Sequence, residues 1–334
     1  MKSQFAAELT EGCHVDAPFA VRAKEMRIAR TGDAYLALEL ADRTGQLPGV
    51  WFRPTRELIS VPVGSVVTVR GTVTRYRGAK RISIESLRAA ETWDPSDMMA
   101  SGPRDEAELI ASFKALVASV TDAGLRAVLR AVFGDAEFLK RFSRCPGSQS
   151  YHHAYLGGLL EHTIAVAELC RSLGATYAYA DSDLLVTAAL LHDVGKVDEL
   201  EFGTAIEYTN AGRLLGHVVL GLRRVREAVT GGRVRVDDDT LARLEHAVLS
   251  HHGELEWGSP KRPATLEALL LHHADNLDAK AAGFCSAVAG ASIAEEVWTD
   301  SSNLFRRPLY APRAAEDERS AVSLEDDQYF RATA

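Results

Sequence analysis

The sequence predicts a multidomain chain in which a small all-β barrel precedes an all-α helical bundle. Three observations predict it. Apolar residues alternate with a period of two up to residue 90, and recur with helical spacing after residue 104. Charge divides at the same place: residues 1–90 carry 14 Lys and Arg against 9 Asp and Glu, a balance of +5, which leaves −13 on the remainder to give the net −8. Of the 11 histidines only His14 lies outside residues 152–273. Two segments of opposite charge and different histidine usage imply two tasks.

The bulk numbers bound the class. With 334 residues, 46% hydrophobic and 25% charged, the chain has the composition of a soluble globular protein. It holds no apolar run of the roughly 18 residues that a membrane span needs, so no membrane partner is expected. The first residues, Met1-Lys2-Ser3-Gln4-Phe5, lack the regions of a signal peptide. Cys13, Cys145, Cys170 and Cys285 lie far apart and form no C-x-x-C pair, which fits reduced thiols in a cytoplasmic protein better than disulfides or a thiolate zinc site.

The first segment, residues 1–90, reads as five short strands. Phe19 to Ile28 alternates, with a slip at Glu25. Tyr35 to Leu40, Gly45 to Phe52, Ser65 to Val73 and Arg81 to Leu87 follow, with turn residues between them. The turn Asp42-Arg43-Thr44-Gly45 and the Trp51-Phe52 pair resemble those of nucleic-acid-binding OB-folds. Around Gly78, Arg75, Arg77, Lys80 and Arg81 surround Tyr76. Cations of this kind follow a phosphate backbone while an aromatic ring stacks on a base. A solvated hairpin tip is the plainer account of the same residues. Of Trp51 and Phe52, one is expected in the core and the other on a surface, with Trp51 a candidate for the binding face.

Residues 91–103, with two prolines and small polar residues, read as a linker. The helical segment, 104–300, follows with helices expected at 108–120, 125–133, 152–171, 184–192, 214–229, 238–251 and 264–282. No strand of any length is expected there. Residues 301–334, rich in Arg, Glu, Asp and Ala, read as a C-terminal tail.

The chemistry concentrates where apolar helices end in groups that a core does not want. The run Ala188 to Leu191 ends in His192-Asp193, with Lys196 about one turn later. A buried carboxylate needs a positive partner. His162, His217, His251 and Asp275 recur at the ends or inner faces of other helices, and His252 adjoins His251. Each alone has an ordinary explanation, as a satisfied core histidine or a surface acid paired with Lys280. Together they form a ligand set for a divalent metal of the Mn, Fe, Co, Ni or Zn kind.

At this point the chain resembles a known family. His162, His192-Asp193 and Asp275 match the H…HD…D signature of the HD-domain superfamily of metal-dependent phosphohydrolases. The strings YHHAYLGGLLEHT (151–163), ALLHDVGK (189–196), LLGHVVLG (214–221), LSHHGELEWGSPKRP (249–263) and LLHHADNLDAK (270–280) resemble the YhaM-type 3′-5′ exoribonuclease family, which places an OB-fold ahead of its HD domain. The resemblance implies that His162, His192, Asp193 and Asp275 hold one divalent ion, and that Asp193 bridges to a second held by His217 and His251, with His252 a further candidate ligand. Three-metal members carry a Glu one turn before the first His. Here that residue is Gly158, so two ions are expected, Mn foremost, with Co, Fe, Zn or Ni also suitable.

Such a pair, about 3.5–4 Å apart, would clamp a phosphodiester and provide hydroxide at neutral pH. Lys196 is placed to stabilise charge on the scissile phosphate, with an ion pair to Asp193 as its structural alternative. His153, beside His152, is a candidate proton donor or phosphate contact. The expected activity is therefore metal-dependent 3′-5′ exonucleolytic hydrolysis of single-stranded RNA, with single-stranded DNA a further substrate. Direction and sugar preference come from the resemblance alone. A nucleotide or cyclic-dinucleotide phosphodiesterase is one alternative, and a di-iron HD oxygenase is another. A binding protein with a vestigial site is a third, against which the intact ligand set speaks. Assembly into a homo-oligomer is compatible with all of them.

Overall fold

The structure, a computed structural model, describes residues 2–28, 32–52, 61–76, 78–149, 153–231, 234–293 and 297–312, with the side chains of 290–293 left out. Strands β1 (His14–Ile28), β2 (Ala34–Asp42), β3 (Gly45–Phe52), β4 (Val66–Tyr76) and β5 (Ala79–Ala89) close into a barrel in the order β1-β2-β3-β5-β4. Alternation drives it. Val15, Ala17, Phe19 and Val21 of β1 point inward, as do Leu36, Leu38 and Leu40 of β2 and Val67, Val69 and Val73 of β4. The slip in β1 falls three residues earlier than the sequence indicated. Val21 opposes Leu40 and Ala23 opposes Glu39, so Arg22 is the extra residue of a β-bulge.

The barrel is anchored at its base by a buried ion pair. Lys2 Nζ lies 2.7 Å from Asp42 Oδ2, and both side chains are fully shielded. The ammonium also donates to Pro18 O and sits 3.4 Å over the Phe19 ring. Asp42 accepts further from Ala6 N, Thr44 N and Thr44 Oγ1. Burial outweighs the pairing at Lys2 and pulls its pKa down, whereas at Asp42 burial is overcome by Lys2 and the three other donors, so its carboxyl is held below the usual range.

The expected linker contains a one-turn helix, α1 (Pro95–Met98), whose Met98 is buried against Ala20 and Val66 of the barrel. Helices α2 (Glu106–Ser119), α3 (Ala123–Phe133), α4 (Ala136–Arg144), α5 (Gly158–Thr176), α6 (Ser182–Leu191) and α7 (Lys196–Glu199) follow. Then come α8 (Asn210–Gly231), α9 (Asp238–Ser250) and α10 (Leu266–Ile293). Aspartates cap them: Asp105, Asp122, Asp135, Asp181 and Asp237 each accept from backbone N–H groups of the first turn that have no partner within the helix. In α6 every residue from Leu184 to Leu191 is buried, as an all-apolar helix requires. It is the central rod of the bundle and packs on α5 and α9.

Among the described residues the helical part departs from the expected all-α body at a short hairpin. Leu200–Phe202 (β6) and Ile206–Tyr208 (β7) pair as a short antiparallel hairpin directly after α7. Three-residue strands give too little alternation to read. The helix expected from residue 152 begins only at Gly158. The chain divides into two compact units, Met1–Asp278 and Ala279–Ala334. Within the second, Phe284 meets Phe305 edge to face, and Trp298 bridges to Tyr310. The remainder of the expected tail lies outside the described residues.

Removing one partner of a buried pair leaves a charge without compensation, so Asp42→Asn is expected to destabilise the barrel by about 3 kcal/mol. Because the folded carboxyl titrates below its unfolded value of about 3.9, the native contribution is complete above that value and is lost as pH falls through the lowered folded one. Hydrogen exchange of β1 and β2 amides between pH 6 and pH 3 should show wild-type protection falling with acid and the variant starting low and changing less.

Candidate metal centre

Two apolar helices end the same way. His192 follows the last residue of α6 and its Nδ1 faces Ala189 O at 2.7 Å. His251 follows the last residue of α9 and its Nδ1 faces Val248 O at 2.7 Å. The terminal carbonyls of a helix lack partners in the helix itself, so each ring fills one of them. A carbonyl only accepts, so both Nδ1 atoms carry the proton, and Nε2 of the neutral ring presents a lone pair. His252 repeats the pattern through Trp257 O at 3.0 Å. His162 Nδ1 faces Asp278 Oδ2 at 2.7 Å, and His217 Nδ1 faces Glu199 Oε1 at 3.1 Å.

The Nε2 atoms of His162, His192, His217 and His251 converge on Asp193, which is 2% exposed. Its Oδ2 lies 3.3 Å from His192 Nε2 and 3.5 Å from His162 Nε2. Its Oδ1 lies 3.3 Å from His217 Nε2 and 3.7 Å from His251 Nε2. Asp275 Oδ1 joins the first group at 3.2 Å from His162 Nε2. His252 joins the second, 3.2 Å from His217 Nε2. The sequence-derived ligand candidates His162, His192, Asp193, His217, His251 and Asp275, with His252, are therefore brought together without exception.

The set fits a divalent cation. Nε2 atoms meet Nε2 atoms at 3.2 Å in two places, His162 with His192 and His217 with His252. Facing lone pairs repel unless a proton or a cation lies with them. Nitrogen and carboxylate donors of this kind suit borderline and hard metals. At His162 burial is outweighed by Asp275 and Asp278, which push its pKa up to about 9. At His251 burial, with His252 and His192 beside it, holds the ring neutral, as a ligand must be. Asp193 is kept ionised against burial chiefly by Lys196 and His192.

Several supporting groups were not anticipated. Asp278 stands one turn after Asp275 on α10 and receives both His162 Nδ1 and His153 Nε2. Its spacing from Asp275 was the available signal. Glu199, three residues after Lys196, accepts from both the backbone N and Nδ1 of His217. Helix α8 breaks at Gly216, where φ is 74°, a conformation that favours glycine, and this turns His217 inward. Gly195 allows the α7 and α8 segments to touch: a Cβ there would lie 2.1 Å from His217 O.

One expectation is corrected, that for Trp51, and His153 and Lys196 are found in internal contacts. His153 has both ring nitrogens within hydrogen-bond distance of protein groups, Nδ1 with Tyr155 Oη at 2.8 Å and Nε2 with Asp278 at 3.0 Å, so in this arrangement it is held against Asp278. Trp51 is 7% exposed in the barrel core, because its position in β3 is inward. Phe52 is the outward neighbour, and its ring lies 5.5 Å from that of Tyr35. Lys196 takes the ion-pair geometry: Nζ is 2.6 Å from Asp193 Oδ2 and 2.8 Å from Gly147 O.

On the barrel a groove of about 1070 Å³ is lined by Lys24, Arg27, Tyr35, Phe52, Tyr76 and Arg81, among others. Arg81 lies 4.6 Å over the Tyr76 ring, and Lys80 donates to Leu9 O. Arg75 is engaged with Glu11 and Gly78 O. Arg77 and His152 lie outside the described residues.

Comparison with known proteins agrees with this arrangement. The family model for the HD domain matches residues 159–280, and the tRNA_anti-codon model, an OB-fold nucleic acid binding domain, matches residues 19–90. The 3′-5′ exoribonuclease YhaM of Geobacillus sp. (strain WCH70) is 30% identical over 308 residues, 90% of this chain and 94% of that protein. The chain belongs to the YhaM family. The Bacillus subtilis (strain 168) member is 29% identical over 80% of this chain and 86% of its own. The second OB-fold domain of replication protein A from Methanococcus maripaludis is similar over 28% of this chain and 98% of its own, at 21% identity and a TM-score of 0.24. No helix among the described residues is long and apolar enough to cross a membrane.

Adding a methyl group at Gly195 forces α8 off α7 and pulls His217 from Asp193. Gly195→Ala is expected to cost about 1–3 kcal/mol and to lower metal content. Gly231→Ala, where nothing lies within 4 Å, should change neither. Urea unfolding and elemental analysis of the purified variants check this.

Proposed function

We propose that this YhaM-family protein is a metal-dependent 3′-5′ exoribonuclease that degrades single-stranded RNA, with Asp193 as the bridge of a two-ion centre. The supporting observation is that the two oxygens of one buried carboxylate face two separate groups of imidazoles. In this reading His162, His192, Asp275 and Asp193 would hold one divalent ion, and His217, His251 and Asp193, with His252 beside them, would hold the other. When bound, the ions supply a hydroxide nucleophile at neutral pH and neutralise charge on the phosphate. Mn suits the donor set, as do Fe, Co, Ni and Zn.

The protein's own groups do the rest. Asp278 and Glu199 fix the rings of His162 and His217 with Nε2 inward, which keeps the ligands in place without reorganisation. Lys196 has donors engaged by Asp193 and Gly147 O and a further N–H for a non-bridging phosphate oxygen. The barrel groove, with Tyr35, Phe52 and Tyr76 among cations, offers stacking surfaces that accept any base and suits a polymer better than a mononucleotide. A cytoplasmic location belongs to the same proposal.

With 5′-labelled single-stranded RNA and Mn, the expected result is a ladder shortening from the 3′ end, abolished by chelator. Asp193→Ala should reduce turnover to the chelated level and lower bound metal while leaving the circular dichroism spectrum intact. A variant with full turnover removes the bridging role.

A further inference from the structure

Besides the metal centre and the barrel groove, the molecule has a cleft of about 570 Å³ where the barrel meets the helical part. Arg22, Arg43 and Gln46 line it from the barrel, and Gln149, Ala154 and Thr204 from the other side. We propose that this cleft is a phosphate track, which holds the backbone of single-stranded RNA between the barrel and the metal centre through Arg22 and Arg43. The inference rests on the exoribonuclease reading above and adds a binding site to it.

Arg22 carries the first part of the argument. It is the unpaired residue of the β1 bulge, between Val21 opposite Leu40 and Ala23 opposite Glu39. Bulges re-aim a side chain out of the regular alternation. The aimed side chain is half-buried, yet among the described residues it has no ion pair and no hydrogen bond. Burial pulls its pKa down, and the Glu39 carboxylate, beyond ion-pair distance, offsets this only in part; a cation taken partly out of water without a contacting partner is costly, and an anion entering the cleft removes that cost.

Arg43, exposed in the turn between β2 and β3, also has no ion pair among the described residues. Its guanidinium is stacked 4.3 Å over the Phe5 ring, which fixes the plane and leaves the N–H edge open. The carboxylate beside it does not compete, since Asp42 is already occupied by Lys2, Ala6 N and Thr44. The cleft therefore presents two guanidiniums and no unengaged carboxylate.

The walls are tied together, so the cleft has a definite shape. Arg43 N donates to Asp97 O, and Thr204 Oγ1 donates to Gly64 O across the junction. The far wall leads to the metal centre. Ala154 follows His153, whose Nε2 is 3.0 Å from Asp278 Oδ2, itself 2.7 Å from His162 Nδ1. Gln149 stands two residues after Gly147, whose carbonyl receives Lys196 Nζ. Residues of the far wall are thus neighbours in sequence of residues that contact the ligand set.

The test uses the full-length, metal-loaded protein and an oligouridylate with phosphorothioate linkages, which resists cleavage. Affinity is measured by fluorescence anisotropy over a range of salt. Each phosphate contact on a single strand contributes about 0.7 to the slope of log affinity against log salt. Arg22→Gln with Arg43→Gln should therefore lower the slope by about 1.4, weaken binding about tenfold or more, and regain the slope as the double Lys variant. The single Arg22→Gln removes a group with no ion pair or hydrogen bond among the described residues, so it should fold as the wild type does and lose half of the effect. An unchanged slope in the Gln variants overturns the phosphate track. So does displacement of the RNA by poly-glutamate at equal charge, which would mark the cleft as a site for an acidic protein. If the wild type binds the phosphorothioate strand with the Arg-dependent slope but does not shorten the same oligouridylate with ordinary phosphodiester linkages, the exoribonuclease reading fails and the cleft remains.

Discussion

The structure depends on keeping one carboxylate charged inside an apolar bundle. Asp193 stands at the end of α6, the most apolar helix of the chain, where an unpaired charge would cost several kcal/mol. What makes it tolerable is that neither oxygen is left to itself. Lys196, His192 and His162 face Oδ2, while His217 and His251 face Oδ1. The same arrangement divides the histidines into two groups around a single bridge. Charge compensation and metal binding are thus one requirement met by one set of side chains.

Rigidity follows from where the ligands sit. His192 and His251 fill carbonyls at helix C-termini with one ring nitrogen and turn the other inward. A ring held at both its backbone and its Nδ1 has little freedom left to lose when Nε2 takes a partner. The second group depends on a close contact of backbone: Gly195 lets the α7 and α8 segments touch, and Gly216 redirects the chain so that His217 enters from α8. Even the left-handed backbone at His153, with φ of 52°, belongs to this frame, because its carbonyl accepts Gly147 N from the loop that holds Lys196.

Much of this was legible in the sequence because the centre breaks a pattern. Polar groups at the ends of apolar runs are conspicuous, and the ligand candidates were found by that contrast. The barrel was legible by period, although its first strand was read from Phe19 and begins at His14. What failed to show were features without contrast. Helix α4 is short and strongly charged, and the hairpin β6–β7 has three residues to a strand. Asp278 and Glu199 look like surface acids until the fold turns them towards His162 and His217. Trp51 and Phe52 occupy adjacent positions on one strand, and only the register decides which faces the core. His153 resembles a catalytic group by neighbourhood, yet its hydrogen bonds belong to the frame.

The charge split between the two segments has a physical meaning beyond its sign. Much of the acidity after residue 90 is used locally. Asp94, Asp105, Asp122, Asp135, Asp181 and Asp237 each cap a helix N-terminus, where the helix dipole offsets the charge. Asp198 is matched by Arg141 and Arg224, and Glu267 by Arg243. At physiological salt, fields from such compensated groups fade within about 8 Å. The helical part can therefore be acidic in total without repelling a polyanion from its centre. The barrel differs, because Arg22 and Arg43 have no carboxylate within ion-pair distance among the described residues. Net charge alone would have argued against a nucleic-acid partner. The distribution of unmatched charge argues for one.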